Sequence, residues 1–165
     1  RLAAENRFDY LLIESTGIGE PMPVAATFAV RDESGFSLSD VARLDTMVTV
    51  VDAETFTRDF CSPERLADRG MVAGPDDQRG LVNLLAEQVE FADVILVNKT
   101  DRAGAETTHQ VKQVIRALNR DADIVETTQS AVALDRVLGT GRFDFVKAQL
   151  APGWMKELRG EHTPE

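Results

Sequence analysis

Apolar residues in this chain fall into short unbroken runs, separated by stretches whose apolar positions follow a helical period, and that rhythm predicts an α/β protein. Phe8-Asp9-Tyr10-Leu11-Leu12-Ile13 is the first run and Met47-Val48-Thr49-Val50-Val51 the second. Val94-Ile95-Leu96-Val97 is a third, and Asp123-Ile124-Val125-Glu126 a fourth candidate. Runs rather than clean alternations are expected of strands covered on both faces. Between them, Pro21 to Val30 offers a helix start, with proline near its first turn and Val24, Thr27 and Phe28 on one side. Leu81, Leu84, Leu85 and Val89 fall at helical spacing and predict an amphipathic helix over 80–91. Val111, Val114, Ile115 and Leu118 repeat that period, and Asn119 marks the stop. Residues 53–60 read as a helical turn or two, 31–44 as a loop or short helix, and 132–138 as a last short helix. Residues 61–80, with two prolines and three glycines, read as the most loop-like part, and 139–165 as an exit segment. Strands alternating with helices imply a mostly parallel sheet with helices on both faces.

Parallel sheets of this kind hold ligands beyond the carboxyl ends of their strands. Glu14, Asp52, Asn98 and Thr127 each stand just past a predicted strand, so all four are expected on one rim. Asn98-Lys99-Thr100-Asp101 carries the most specific chemistry. A carboxylate in the Asp101 position can accept two hydrogen bonds from guanine, one from N1–H and one from the exocyclic amine. Adenine lacks that donor pair and would leave the carboxylate unpaired, so such a site rejects it. The Lys99 stem can lie along a base face, and Asn98 can tie the loop to neighbouring backbone. The plain alternative is a solvated turn, a setting in which Asn, Lys and Asp are common.

Glu14-Ser15-Thr16-Gly17 has the form of a loop that meets Mg²⁺ and a γ-phosphate. Glu14 would reach the metal's water shell or orient a water, and Gly17 would let backbone N–H approach the phosphate. Ser15 and Thr16 serve equally well as helix caps, and so does Asp52. Thr127, Thr128 and Gln129 occupy the place from which a further loop would touch the base through backbone N–H.

Charge changes this picture. Eighteen basic and 28 acidic residues leave a net charge of −10, which excludes nucleic acid and anionic membrane as natural partners. The same field repels a nucleoside triphosphate unless a cation and a nest of N–H groups offset it. No Gly-x-x-x-x-Gly-Lys-[Ser/Thr] loop, which supplies such a nest, occurs in these residues. The single Cys61 can form neither an internal disulfide nor a thiolate cage, so a reduced, cytoplasmic setting is expected. His109 and His162 lack partner ligands at metal-binding spacing and read as solvated. No apolar stretch approaches the roughly 20 residues that span a bilayer. The chain opens on Arg1 without methionine and runs out at His162-Thr163-Pro164-Glu165, so it reads as a piece of a larger protein.

The ordered blocks resemble a known family. Glu14-Ser15-Thr16-Gly17-Ile18-Gly19-Glu20-Pro21 is similar to the Glu-[Ser/Thr]-Thr-Gly-x-x-x-Pro block of CobW-type metal-chaperone GTPases. Val50-Val51-Asp52-Ala53, Glu87 to Asp93 and Asn98-Lys99-Thr100-Asp101 follow in that family's order. Leu118-Asn119 resembles its Leu-Asn-Pro-x-Ala block, with Arg120 in place of proline, and Pro152-Gly153-Trp154 resembles its approach to a C-terminal domain. The resemblance implies a P-loop GTPase-like fold whose first βαβ portion is missing. Residues 1–145 would be the latter part of the GTPase domain and 146–165 a linker. It also implies binding of GTP and GDP with Mg²⁺, GTP hydrolysis, and delivery of Zn²⁺ or Co²⁺ to a client metalloprotein, with cobalt serving cobalamin synthesis. Asn98, Lys99 and Asp101 match the guanine loop, and Glu14 and Gly17 the γ-phosphate loop. The family's Cys-x-Cys-Cys metal motif, like the phosphate loop, has no counterpart in these residues, so no metal ligand is assigned. A nickel-insertion GTPase of the hydrogenase or urease maturation type is an alternative. So is a non-enzymatic binding module that lost the phosphate loop. The resemblance leaves a homo-oligomer open.

Overall fold

The computed structural model describes residues 8–15, 19–70 and 79–150. Three strands, β1 (Val48–Asp52), β2 (Val94–Asn98) and β3 (Asp123–Glu126), form one sheet in the order β1-β2-β3. Both pairings are parallel, with Val48 beside Val94 and Val94 beside Asp123. The helices are α1 (Pro21–Thr27), α2 (Phe56–Phe60), α3 (Leu81–Glu90), α4 (Thr100–Leu118) and α5 (Phe145–Gln149). This is the parallel α/β architecture of a P-loop GTPase-like fold.

The core sits where the periodicities converge. Central β2 is the most deeply covered strand, its four apolar residues all buried. Ile95 and Val97 join Val51 of β1, Phe56 of α2, Val89 of α3, and Val111 and Ile115 of α4 in one cluster. Burying such aliphatic side chains contributes about 1.5–3 kcal/mol each. Leu66, Leu81 and Leu84 form a second cluster under a 3₁₀ turn at Leu66–Arg69. A third joins Ala25 and Ala26 of α1 to Ala148 of α5.

Four expectations need correction. Residues 8–13 form no strand: no ladder takes up their N–H and C=O groups, and Leu12 is 83% exposed. An apolar run becomes a strand only beside an edge that pairs with it, and among the described residues none does. The outer strand β1 accordingly leaves Val50 58% exposed. Second, α1 buries Ala25 and Ala26, with Phe28 buried at its C-cap, while Thr27 faces out and bonds its hydroxyl back to the Val24 carbonyl at 2.6 Å. Third, α5 lies in the stretch read as an exit segment. Its start is set by Asp144, whose Oδ1 accepts the N–H groups of Val146 and Lys147. Fourth, the expected helix at 132–138 reduces to a 3₁₀ turn, Leu134–Arg136. The Gly74-Pro75-Asp76-Asp77 stretch and the Pro152 to Glu165 blocks lie outside the described residues.

Candidate functional site

Register brings the loops after β1, β2 and β3 to one end of the sheet. Asp52 is paired with Asn98, and Val97 with Glu126, so each loop leaves its strand beside the next. Asn98 is the hub. Its Oδ1 accepts the Thr127 hydroxyl at 3.2 Å and the Ser130 N–H at 2.8 Å. Its carbonyl accepts the Ala53 N–H at 2.9 Å. Thr100 adds a second tie to the same loop, as its N–H and hydroxyl donate to the Thr127 carbonyl at 3.3 and 3.1 Å.

The backbone here is unusual. Lys99, Gln129 and Ser130 have φ of 61°, 54° and 54°, and they are the only non-glycine residues with positive φ among those described. Left-handed conformations cost a β-carbon-bearing residue on the order of 1 kcal/mol or more, and they persist where surrounding bonds over-determine them. That all three stand in the two loops joined by Asn98 marks this end of the sheet as the strained part of the fold. Thr127, at the base of the turn, is buried, whereas Thr128 is exposed.

Lys99 sends its ammonium to the end of β1, where Nζ donates to Asp52 Oδ2 at 2.6 Å. The other oxygen, Oδ1, accepts the Glu54 N–H at 2.9 Å. Burial opposes ionisation of Asp52, but the Lys99 and Glu54 hydrogen bonds and the Lys99 charge outweigh it, holding the carboxyl below its usual range. Asp52 therefore does not cap α2, whose N-cap is Thr55; it closes a turn onto Glu54 and pairs with Lys99. Asp101 follows on the first turn of α4, exposed, and its carboxylate makes no hydrogen bond or ion pair among the described residues. Gly104, with φ 76° and ψ 167°, breaks the helix after that turn, so the turn bearing Asp101 is set off from the long helical body. Only glycine readily takes that conformation.

Asp52, Asn98, Lys99 and Thr127 therefore meet, with Thr128 and Asp101 beside them. Glu14 is not joined to them: the strand expected to present it is absent, and Glu14 lies exposed in a segment without regular secondary structure. Gly17 lies outside the described residues. The chain just beyond it is fastened to the α3 region, with Gln88 Nε2 donating to the Gly19 carbonyl at 3.0 Å and Arg79 paired with Glu20. The Lys99–Asp52 link went unread in the sequence, although Asp52 at the end of the neighbouring strand was its signal. Gln129 stands in the loop the sequence offers to the base, but its left-handed backbone and that of Ser130 have no signal there, because non-glycine residues rarely turn left-handed.

A carboxylate left without a protein partner, beside a lysine whose ammonium is drawn aside, can receive a ligand edge carrying two adjacent N–H donors. Residues 1–126 match the profile of the CobW/HypB/UreG nucleotide-binding domain. The chain belongs to this family. It is 49% identical over 166 residues to a zinc-regulated GTPase metalloprotein activator 1 of Dictyostelium discoideum, covering 100% of this chain and 35% of that protein. It is 32% identical over 124 residues to the protein of the same name in Schizosaccharomyces pombe, covering 75% of this chain and 25% of the relative. A zinc chaperone CobW of Sinorhizobium sp is 28% identical over 148 residues, covering 85% and 39%. The chain thus spans about a third of the length of these curated relatives. No solved structure matches it significantly. Among the described residues, no helix is long and apolar enough to cross a membrane.

Proposed function

We propose that this chain carries the guanine-recognising part of a GTP-binding and GTP-hydrolysing metallochaperone that delivers zinc, or in a related role cobalt, to a client metalloprotein. The observation that carries the reading is the Asn98–Asp101 loop. Asn98 fastens it to the 127–130 turn, Lys99 is held aside by Asp52, and Asp101 is left with an unshared carboxylate. That carboxylate receives N1–H and the exocyclic amine of guanine, and the backbone of Thr127 and Thr128 borders the base. Glu14 and Gly17 are assigned to the γ-phosphate by the match of their sequence block to the family's loop, in the full-length protein. The zinc named in all three relatives favours zinc over cobalt.

Among the described residues no group of three His, Cys, Asp or Glu side chains stands close enough to hold a metal ion. A nucleotide-bound Mg²⁺ takes only one or two side chains beside phosphate oxygens and water, and Glu14 is the residue offered to its water shell. The net charge of −10 makes nucleic acid and anionic membrane unsuitable partners, leaving GTP, GDP and the client protein. We place the protein in the cytoplasm and divide the chain into a GTPase portion, 1–145, and a linker, 146–165.

Phosphate release by the full-length protein tests the proposal. GTP is expected to be hydrolysed and ATP not, and Glu14→Ala is expected to slow release by roughly a hundredfold while leaving GTP affinity within a factor of about three. Equal release from both nucleotides would overturn the guanine assignment, and neither binding nor release of GTP would overturn the reading in favour of a non-enzymatic module.

A further inference from the structure

Asp52 does more than the turn after β1 requires. A turn of that kind needs one carboxylate oxygen, and Oδ1 meets the need by accepting the Glu54 N–H. The second oxygen is committed to Lys99 Nζ at 2.6 Å. Around this pair the loop after β1 is fastened to the loop after β2 at two further points. Ala53 N–H donates to the Asn98 carbonyl at 2.9 Å, and Arg102 pairs with Glu54 at 2.9 Å. Between these fastenings Lys99 holds its left-handed backbone, φ 61° and ψ 33°. Both ends of the lysine are thus fixed, the backbone by strain and neighbours, the ammonium by Asp52.

A free lysine side chain carries considerable rotamer entropy, much of which is lost when it is ordered against a ligand. Fixing it beforehand raises affinity by removing that loss. We propose that Asp52 is a positioning residue of the nucleotide site: it draws the Lys99 ammonium to the end of β1 and so lays out the lysine stem as a ready platform for the base. The inference rests on the guanine reading of the Asn98–Asp101 loop. It adds the loop after β1 as a third wall of that site. Because a stem under the ring face reads no base edge, Asp52 sets affinity for guanine and xanthine nucleotides alike. Asp101 sets the choice between them.

The two roles separate in a double-mutant cycle on the full-length protein, with Kd for GTP and xanthosine triphosphate measured by calorimetry. Asp52→Asn keeps an oxygen for the Glu54 N–H and removes the charge that holds Lys99. It is expected to weaken both nucleotides by roughly fivefold, the scale of a part-exposed ion pair, leaving their ratio unchanged. In a Lys99→Ala background the same substitution is expected to change nothing further. Equal losses in both backgrounds, no loss in either, or an altered ratio would each overturn the proposal. If Asp52→Asn does not fold, Asp52→Ser preserves a turn-forming oxygen and is judged by the same criteria. Failure of the underlying guanine reading shows separately, as an Asp101→Asn variant with an unchanged GTP-to-xanthosine ratio.

Discussion

Asn119 is buried, and both ends of its amide are engaged. Nδ2 donates to the carbonyls of Val89 and Ala92, each at 2.8 Å, and of Glu90 at 3.1 Å. Oδ1 accepts the N–H groups of Asp121 at 3.1 Å and Ala122 at 3.0 Å. One side chain thus closes the end of α3, the end of α4 and the entry to β3. Its sequence position at the end of a helical period and in a Leu-Asn pair revealed a helix stop. The bonds to carbonyls about thirty residues upstream were not legible, because they depend on how α3 docks. Asn119→Ala would strand those carbonyls and N–H groups, several of them buried, and is expected to lower stability by about 2–4 kcal/mol in urea unfolding. A loss below about 0.5 kcal/mol would contradict this account. Lys99, Gln129 and Ser130 teach the same lesson: their left-handed backbone lies in two loops tied together through Asn98, and nothing in their own identities announces it.

Elements were legible where burial is written into local composition. β2 appeared as Val94-Ile95-Leu96-Val97 because a central parallel strand is covered on both faces, and α3 and α4 showed their buried stripes at helical spacing. Residues 8–13 have the same apolar content and form no strand, since pairing depends on a neighbour that composition does not name. The five-residue α5 is too short to show a period, and only its cap, Asp144, marks it. The candidate site divides in the same way. Asn98 to Asp101 is contiguous and was found directly, whereas Asp52 joins it through strand register. Glu14 depended on a strand that is not there.

Across the whole molecule the carboxylates set the response to acid. Asp45, Asp52 and Asp59 each feel burial pushing their pKa up, yet hydrogen bonds outweigh it and hold them low: from Gly141 and Thr46, from Lys99 and Glu54, and from Arg69 and Arg58. A depressed folded-state pKa stabilises the fold above the unfolded value of about 3.9, and that stability is lost as pH falls through the folded-state values. Asp93 has the opposite sign: burial raises its pKa despite the Met47 N–H, so its ionisation opposes folding as pH rises past about 4. Asp93→Asn keeps an acceptor for Met47 and is expected to stabilise the protein at pH 7 but not at pH 3, read from urea unfolding at both. A stabilisation of equal size at the two pH values would contradict the assignment. The account's central claim is that the unshared Asp101 carboxylate chooses guanine, and calorimetric titration of GTP, ATP and xanthosine triphosphate, each with Mg²⁺, into the full-length protein and its Asp101→Asn variant tests it most directly. The unaltered protein is expected to favour GTP by roughly a hundredfold or more, and the variant to lose GTP affinity and gain xanthosine triphosphate; an unchanged order of affinities in the variant would contradict the claim.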